Sequence, residues 1–143
     1  MDGNGWFEMS LRVRYKDTDR MGVVYYGNYL TFFEVGRAEL MRHLGYAYSR
    51  LEAEGYNLVV AEASARYHRN VGYDSMVVVR TRIAEVKGAS VRFDYRVLAE
   101  DGGLLVTGHT LHACINDAQK PIRLPAEVKR LMERAMKPPE QPA

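Results

Sequence analysis

Two aspartates two positions apart, Asp17 and Asp19, stand just before Gly22 and an aromatic run that includes Tyr25, Tyr26 and Tyr29. A carboxylate can attack an acyl carbon or take a proton from water, and unpaired amides at a helix start can hold the oxyanion that results. With Asn28 as a good N-cap, the amides around residues 26–28 are such donors. Gly22 permits an unusual turn angle, and the tyrosines can wall a pocket. A carboxylate, an oxyanion site and apolar walls in one short stretch are a minimal kit for acyl-group hydrolysis. Asp19 is the carboxylate placed for that work. Asp17 reads as a turn former, because aspartate side chains bond nearby backbone amides.

Other constellations are missing. No serine stands in G-x-S-x-G, no G-x-x-x-x-G-K-S/T occurs, and no G-x-G-x-x-G opens a helix. His109 and His112 differ in parity, so a straight strand sends them to opposite faces and they make a poor metal pair. His112 and Cys114 share a face but lack an orienting partner. Cys114 is the single cysteine and lies in a strand-like run, where it reads as a small buried hydrophobe. Neither a metal nor another cofactor is implied.

The positioning elements follow from periodicity. Phe7, Met9, Leu11, Val13 and Tyr15 alternate with polar residues, which predicts a half-buried strand. From Asn28, the residues Leu30, Phe33, Arg37, Leu40, Met41 and Leu44 recur at helical spacing until Gly45, a helix of about four to five turns. Tyr29, Phe32, Val35 and Ala38 widen its apolar surface, so the helix should be enclosed on several sides. Gly36 within it is tolerable where another backbone approaches closely. A short helix is predicted near residues 48–54, and strands over residues 59–68, 75–86, 90–99 and 104–116. The alanines at 61, 63 and 65 suit a sheet face packed closely on a helix. Pro125 opens a last helix to about residue 136, and residues 137–143 read as a disordered tail. Strands joined by short turns demand antiparallel pairing, so the fold class is α+β with the sheet covering one long helix.

The stretch YKDTDRMGVVYYGNYLTFFEVGRAELM resembles the signature of the 4-hydroxybenzoyl-CoA thioesterase family of hotdog-fold proteins, especially the Tol-Pal-associated bacterial acyl-CoA thioesterases. The likeness runs on to about Pro125. It implies a five-stranded antiparallel sheet wrapped around a long central helix, and hydrolysis of an acyl-CoA thioester without metal or redox cofactor. On this likeness Asp19 is the catalytic carboxylate, as nucleophile or general base, and the backbone amide of Tyr26 faces the thioester carbonyl. Tyr25 walls the pocket and Asn28 stands at the helix start. Lys87 and Ser90 match the hairpin that holds the CoA phosphates, with Arg69 as a further contributor, while Gly88 stands where the namesake enzyme has a second basic residue. Glu34 and Glu39 are the alternative carboxylates, since another hotdog branch uses a glutamate on the central helix. A sensor that binds acyl-CoA without turnover is the competing reading.

The 143 residues, 47% of them hydrophobic, suit a single domain with an ordered core over about residues 6–136. A formal net charge of +2 from interspersed charges gives weak support for nucleic-acid or membrane partners. The start lacks signal-peptide character and no apolar span of membrane length appears, so a cytoplasmic location is expected. Unpaired strand edges, together with the resemblance, lead to the expectation of a homo-oligomer, a dimer or a tetramer.

Overall fold

The computed structural model describes residues 1–136; the tail expected at 137–143 lies outside the described residues. Strand β1 (Phe7–Arg12) leads through a 3-10 turn (Tyr15–Asp17) and a loop into helix α1 (Asn28–His43). A short helix α2 (Tyr48–Ala53) precedes β2 (Asn57–Tyr67), β3 (Met76–Val86), β4 (Ser90–Ala99) and β5 (Leu104–Ile115), and α3 (Ala126–Met136) closes the order. The five strands form one antiparallel sheet in the order β1-β3-β4-β5-β2. This is the sheet wrapped on a long helix that the hotdog resemblance implies.

Alternation decides which face is covered. In β4, Val91, Phe93, Tyr95 and Val97 are buried, while Arg92 and Arg96 are exposed. Helix α1 lays Tyr29, Phe32, Phe33, Gly36, Leu40 and Met41 on the inner face. Phe33 stacks flat on Tyr95, with ring centroids 4.3 Å apart. Gly36 is required by proximity, though to side chains rather than to the backbone expected: a Cβ there would stand 2.5 Å from Thr81 Oγ1 and 2.8 Å from Val79 Cγ1. The helix is thus seated on β3 at the distance a glycine allows.

Two expectations need correction. Strand β1 stops at Arg12, and Tyr15 is exposed rather than facing inward. The carboxylate of Asp17 accepts the Arg14 N–H at 2.8 Å, so a local turn displaces further ladder pairing. The alanine face of β2 packs against the core only at Ala65. That strand lies at the sheet edge, its register shifts between Val60 and Glu62, and Ala61, Ala63 and Val60 are exposed. Among the described residues, no helix is long and apolar enough to cross a membrane.

Candidate active site

The segment between β1 and α1 is folded back on itself by a bridge between Thr18 and Val24. Asp19 sits at the neck of the loop so made. Its amide donates to the Val23 carbonyl at 2.9 Å, and its carbonyl accepts from Gly22 at 3.0 Å. Gly22 has φ +78, the left-handed turn for which glycine carries no Cβ penalty. One carboxylate oxygen, Oδ1, accepts the Met21 N–H at 2.8 Å, while Oδ2 has no hydrogen-bond partner among the described residues. The side chain is therefore oriented by its own turn and keeps one oxygen available.

Asp17 does different work. It is 8% exposed, and its carbonyl accepts both the Tyr25 N–H and the Asn28 Nδ2–H at 2.9 Å. These bonds, with the carboxylate on Arg14, make it the tether between loop and helix. Asn28 differs from its expected role: Gly27 occupies the N-cap without a side-chain cap, and Asn28 begins the helix while its amide reaches back to Asp17. Neither the Tyr26 N–H nor the Gly27 N–H has an acceptor among the described residues, so two donors at the helix start are open.

The tyrosines are layered around these donors. The Tyr26 carbonyl accepts the Tyr67 hydroxyl at 3.1 Å, and the Tyr25 and Tyr26 rings lie 4.7 Å apart. Tyr29 is buried and donates its hydroxyl to Asn70 Oδ1 at 2.6 Å. Desolvation pushes the Tyr29 phenol up to about 12, so it stays a neutral donor. The cavity beside Asp19, about 530 Å³, has other walls: Tyr15, Thr18, Arg20, Gly22 and Tyr73. Tyr15 and Tyr73 meet edge to face at 6.1 Å. Sequence reasoning missed this pair. Tyr15 was hidden by the strand alternation, and no local signal marks Tyr73, which the fold brings in from beyond β2.

The structure divides the remaining expected residues between two ends of the sheet. The Lys87 N–H donates to the Ser90 carbonyl at 2.9 Å and closes the β3–β4 hairpin, while Lys87 Nζ lies 3.1 Å from Glu85. Lys87, Ser90 and Arg92 line a cavity of about 200 Å³. Beside this hairpin stands a cation that local sequence did not reveal. Arg123 Nη1 lies 3.7 Å from where a Cβ on Gly88 would be, held there by a 2.9 Å bond from the Leu124 N–H to the Gly88 carbonyl. Arg69 instead pairs with Asp101 at 3.1 Å, in the turn after β4. Ser90 and Ala99 are opposite ends of β4, about 30 Å apart at strand rise, so one chain does not bring Arg69 to Lys87. The Asp19 loop lies at the Arg69 end, tied by the Val24 N–H to the Val71 carbonyl at 3.0 Å.

The alternative carboxylates sit elsewhere. Glu39 is engaged by Arg42, and Glu34 is exposed on α1. His109 and His112 do face opposite ways: His109 meets Glu62 at 2.9 Å, and His112 is buried against Thr110 at 2.8 Å.

Comparison with known proteins gives one consistent picture. Residues 13–132 match the thioesterase-like superfamily. The acyl-CoA thioesterase YbgC of Haemophilus influenzae is 36% identical over 126 residues, 86% of this chain and 91% of that protein. The acyl-CoA thioester hydrolase YbgC of Escherichia coli O6:H1 is 32% identical over 85% of this chain and 92% of its own length. Among solved structures, DHNA-CoA thioesterase from Staphylococcus aureus superposes with a TM-score of 0.81 at 35% identity, covering 83% of this chain and 80% of that one.

Proposed function

Because the chain belongs to the thioesterase-like superfamily, we propose that it hydrolyses the thioester of an acyl-CoA to the free acid and CoA. The observation that carries this reading is the pairing of open donors with an open acceptor. The Tyr26 and Gly27 amides have no partner among the described residues, and Asp19 presents one unengaged oxygen from the loop that leads to them. A thioester carbonyl directed at those amides develops its negative charge where donors already wait. Asp19 then serves in one of two ways. As general base it takes a proton from water as the oxygen attacks; as nucleophile it forms an acyl anhydride that water cleaves. In both, the carbon–sulfur bond breaks and CoA leaves as the thiolate, which takes up a proton. Tyr25, beside Tyr26, borders the acyl path, and Asn28 holds the helix start in place through Asp17.

CoA phosphates are assigned to the Lys87–Ser90 hairpin, with Arg123 supplying the cation that Gly88 does not. Since that hairpin lies at the far end of the sheet from Asp19, the site uses two copies. An antiparallel partner along the exposed β2 edge sets the far end of one sheet beside the near end of the other, as a two-fold interface requires. The protein is accordingly a dimer, or a tetramer built from dimers, with Arg69 at the end where the partner's hairpin arrives.

The test is release of thiol from a panel of acyl-CoAs. Tight binding with no release would replace hydrolysis by sensing. Light scattering giving a mass near 16.3 kDa at working concentration would refute the two-copy site.

A further inference from the structure

The outer face of the sheet, opposite α1, carries an arrangement that thioester hydrolysis does not use. In one row across the strands, Glu8 faces Arg80, Arg80 faces Arg96, and Arg96 and Arg66 both face Thr107. In the next row Arg82 faces Asp94, and Asp94 faces His109. Like charges directly opposite one another on a sheet oppose folding, yet Arg80 and Arg96 are so placed. Only part of this charge is met. Arg80 reaches Asp2 and Glu8, while Arg82 and Arg92 share the one carboxylate of Asp94, at 3.1 and 3.2 Å. Arg66 and Arg96 have no carboxylate within 4.0 Å among the described residues.

Trp6 fixes the row. Its ring lies 5.1, 4.6 and 5.0 Å from the guanidinium carbons of Arg80, Arg82 and Arg96, and the indole is 5% exposed. Cation–π contacts hold these side chains outstretched along the face. Above them is a cavity of about 370 Å³ lined by Ser64, Arg66, Arg82, Arg92, Arg96 and Thr107, among others.

We propose that this face is a binding site for a small molecule carrying a polyphosphate chain, gripped by Arg66 and Arg96 on either side of Thr107. The chemistry of the lining selects the class. Guanidinium forks match phosphate oxygens bidentately, and the lining is mostly polar, its one carboxylate, Asp94, being paired with Arg82 and Arg92. Arg66 and Arg96 stand two strand spacings apart, about 10 Å, which suits a chain of phosphates better than one carboxylate. Trp6 is covered by arginines and gives a base no ring to stack on, so the phosphates themselves are the recognised group. Arg92 and His109 line both this cavity and the one at the Lys87 hairpin, so the experiment must separate the two.

Trp6 is the only tryptophan of the chain and reports on the site directly. Sodium tripolyphosphate is titrated into the full chain at fixed ionic strength, with Trp6 fluorescence and calorimetric heat as readouts. A saturable transition is expected. Arg66→Ala, which does not touch Trp6, weakens it about tenfold or more, as loss of a charge-assisted contact does. Lys87→Ala leaves the Trp6 fluorescence transition unchanged, and by that signal ATP binds as tightly as tripolyphosphate. Absence of a fluorescence change, with or without heat, or an Arg66→Ala variant of unaltered affinity, overturns the proposal. Loss of the Trp6 transition on Lys87→Ala overturns it as well, by moving the phosphates to the hairpin; ATP binding far more tightly than tripolyphosphate would do so by moving recognition to the base.

Discussion

Lowering the pH from 7.5 to 4.5 should weaken this fold through one buried imidazole. His112 is wholly buried on the inner face, hydrogen-bonded to Thr110 and edge-on to Phe93 at 5.3 Å. Desolvation, reinforced by the Arg37 guanidinium, brings its pKa down to about 4 from the ordinary 6.5. Above pH 6.5 the imidazole is neutral folded or unfolded, and it imposes no penalty. Between 6.5 and 4 the unfolded chain takes up a proton that the folded chain refuses, so stability falls with pH. Below about 4 both forms are protonated and the loss levels off. The separation corresponds to about 3 kcal/mol in total, of which about 2.5 kcal/mol is lost by pH 4.5. That is a large share of a domain stability of about 5 to 15 kcal/mol. Urea unfolding across this range, for the natural chain and for His112→Gln, isolates the contribution. The variant keeps a polar group near Thr110 but cannot take the proton, so its stability should fall less by about that amount. An NMR titration gives the imidazole pKa itself. A folded-state value at 6.5, or equal pH slopes for the two chains, would refute the reasoning.

Asp19→Asn keeps the size of the side chain and removes its charge, so kcat for acyl-CoA hydrolysis should fall by at least ~100-fold while binding largely survives; a folded variant with natural kcat returns the search to Glu34 or Glu39. Lys87→Ala and Arg123→Ala should each raise KM modestly with kcat kept, the more so at low salt, because exposed pairs contribute about 0 to 1 kcal/mol each and are screened by ions. An unchanged KM at low ionic strength removes that residue from the nucleotide site. Gly36→Ala places a methyl group 2.5 Å from Thr81 Oγ1, and overpacking of about 1 to 3 kcal/mol should outweigh the roughly 1 kcal/mol of helix propensity gained. A urea midpoint at or above that of the natural chain would show that α1 shifts freely on β3.

Much of this molecule was legible in the chain itself, because periodicity states which side of an element is buried. The two-residue alternation of Val91, Phe93, Tyr95 and Val97 gave β4 its inner face, and Phe33, Leu40 and Met41 marked the covered stripe of α1. Gly36 announced a close approach, and the turn chemistry of Asp17 was evident from its residue type. Alternation alone ran too far, however: Tyr15 continues the pattern of β1 but belongs to a turn, since the Asp17 carboxylate captures the Arg14 amide. What periodicity does not carry is which distant segments meet. Tyr73 reaches the Asp19 cavity, Arg123 reaches Gly88, and Lys87 is kept a strand length away from Arg69, all through pairings between residues far apart in the chain. The small side chains of β2 looked ready for a helix, but their strand lies at the sheet edge, where Ala65 reaches the core and Ala61 and Ala63 are exposed. Local side-chain chemistry and face polarity are fixed residue by residue, whereas the walls of the cavity and the grouping of its charges depend on sheet order and register, which only the folded chain decides.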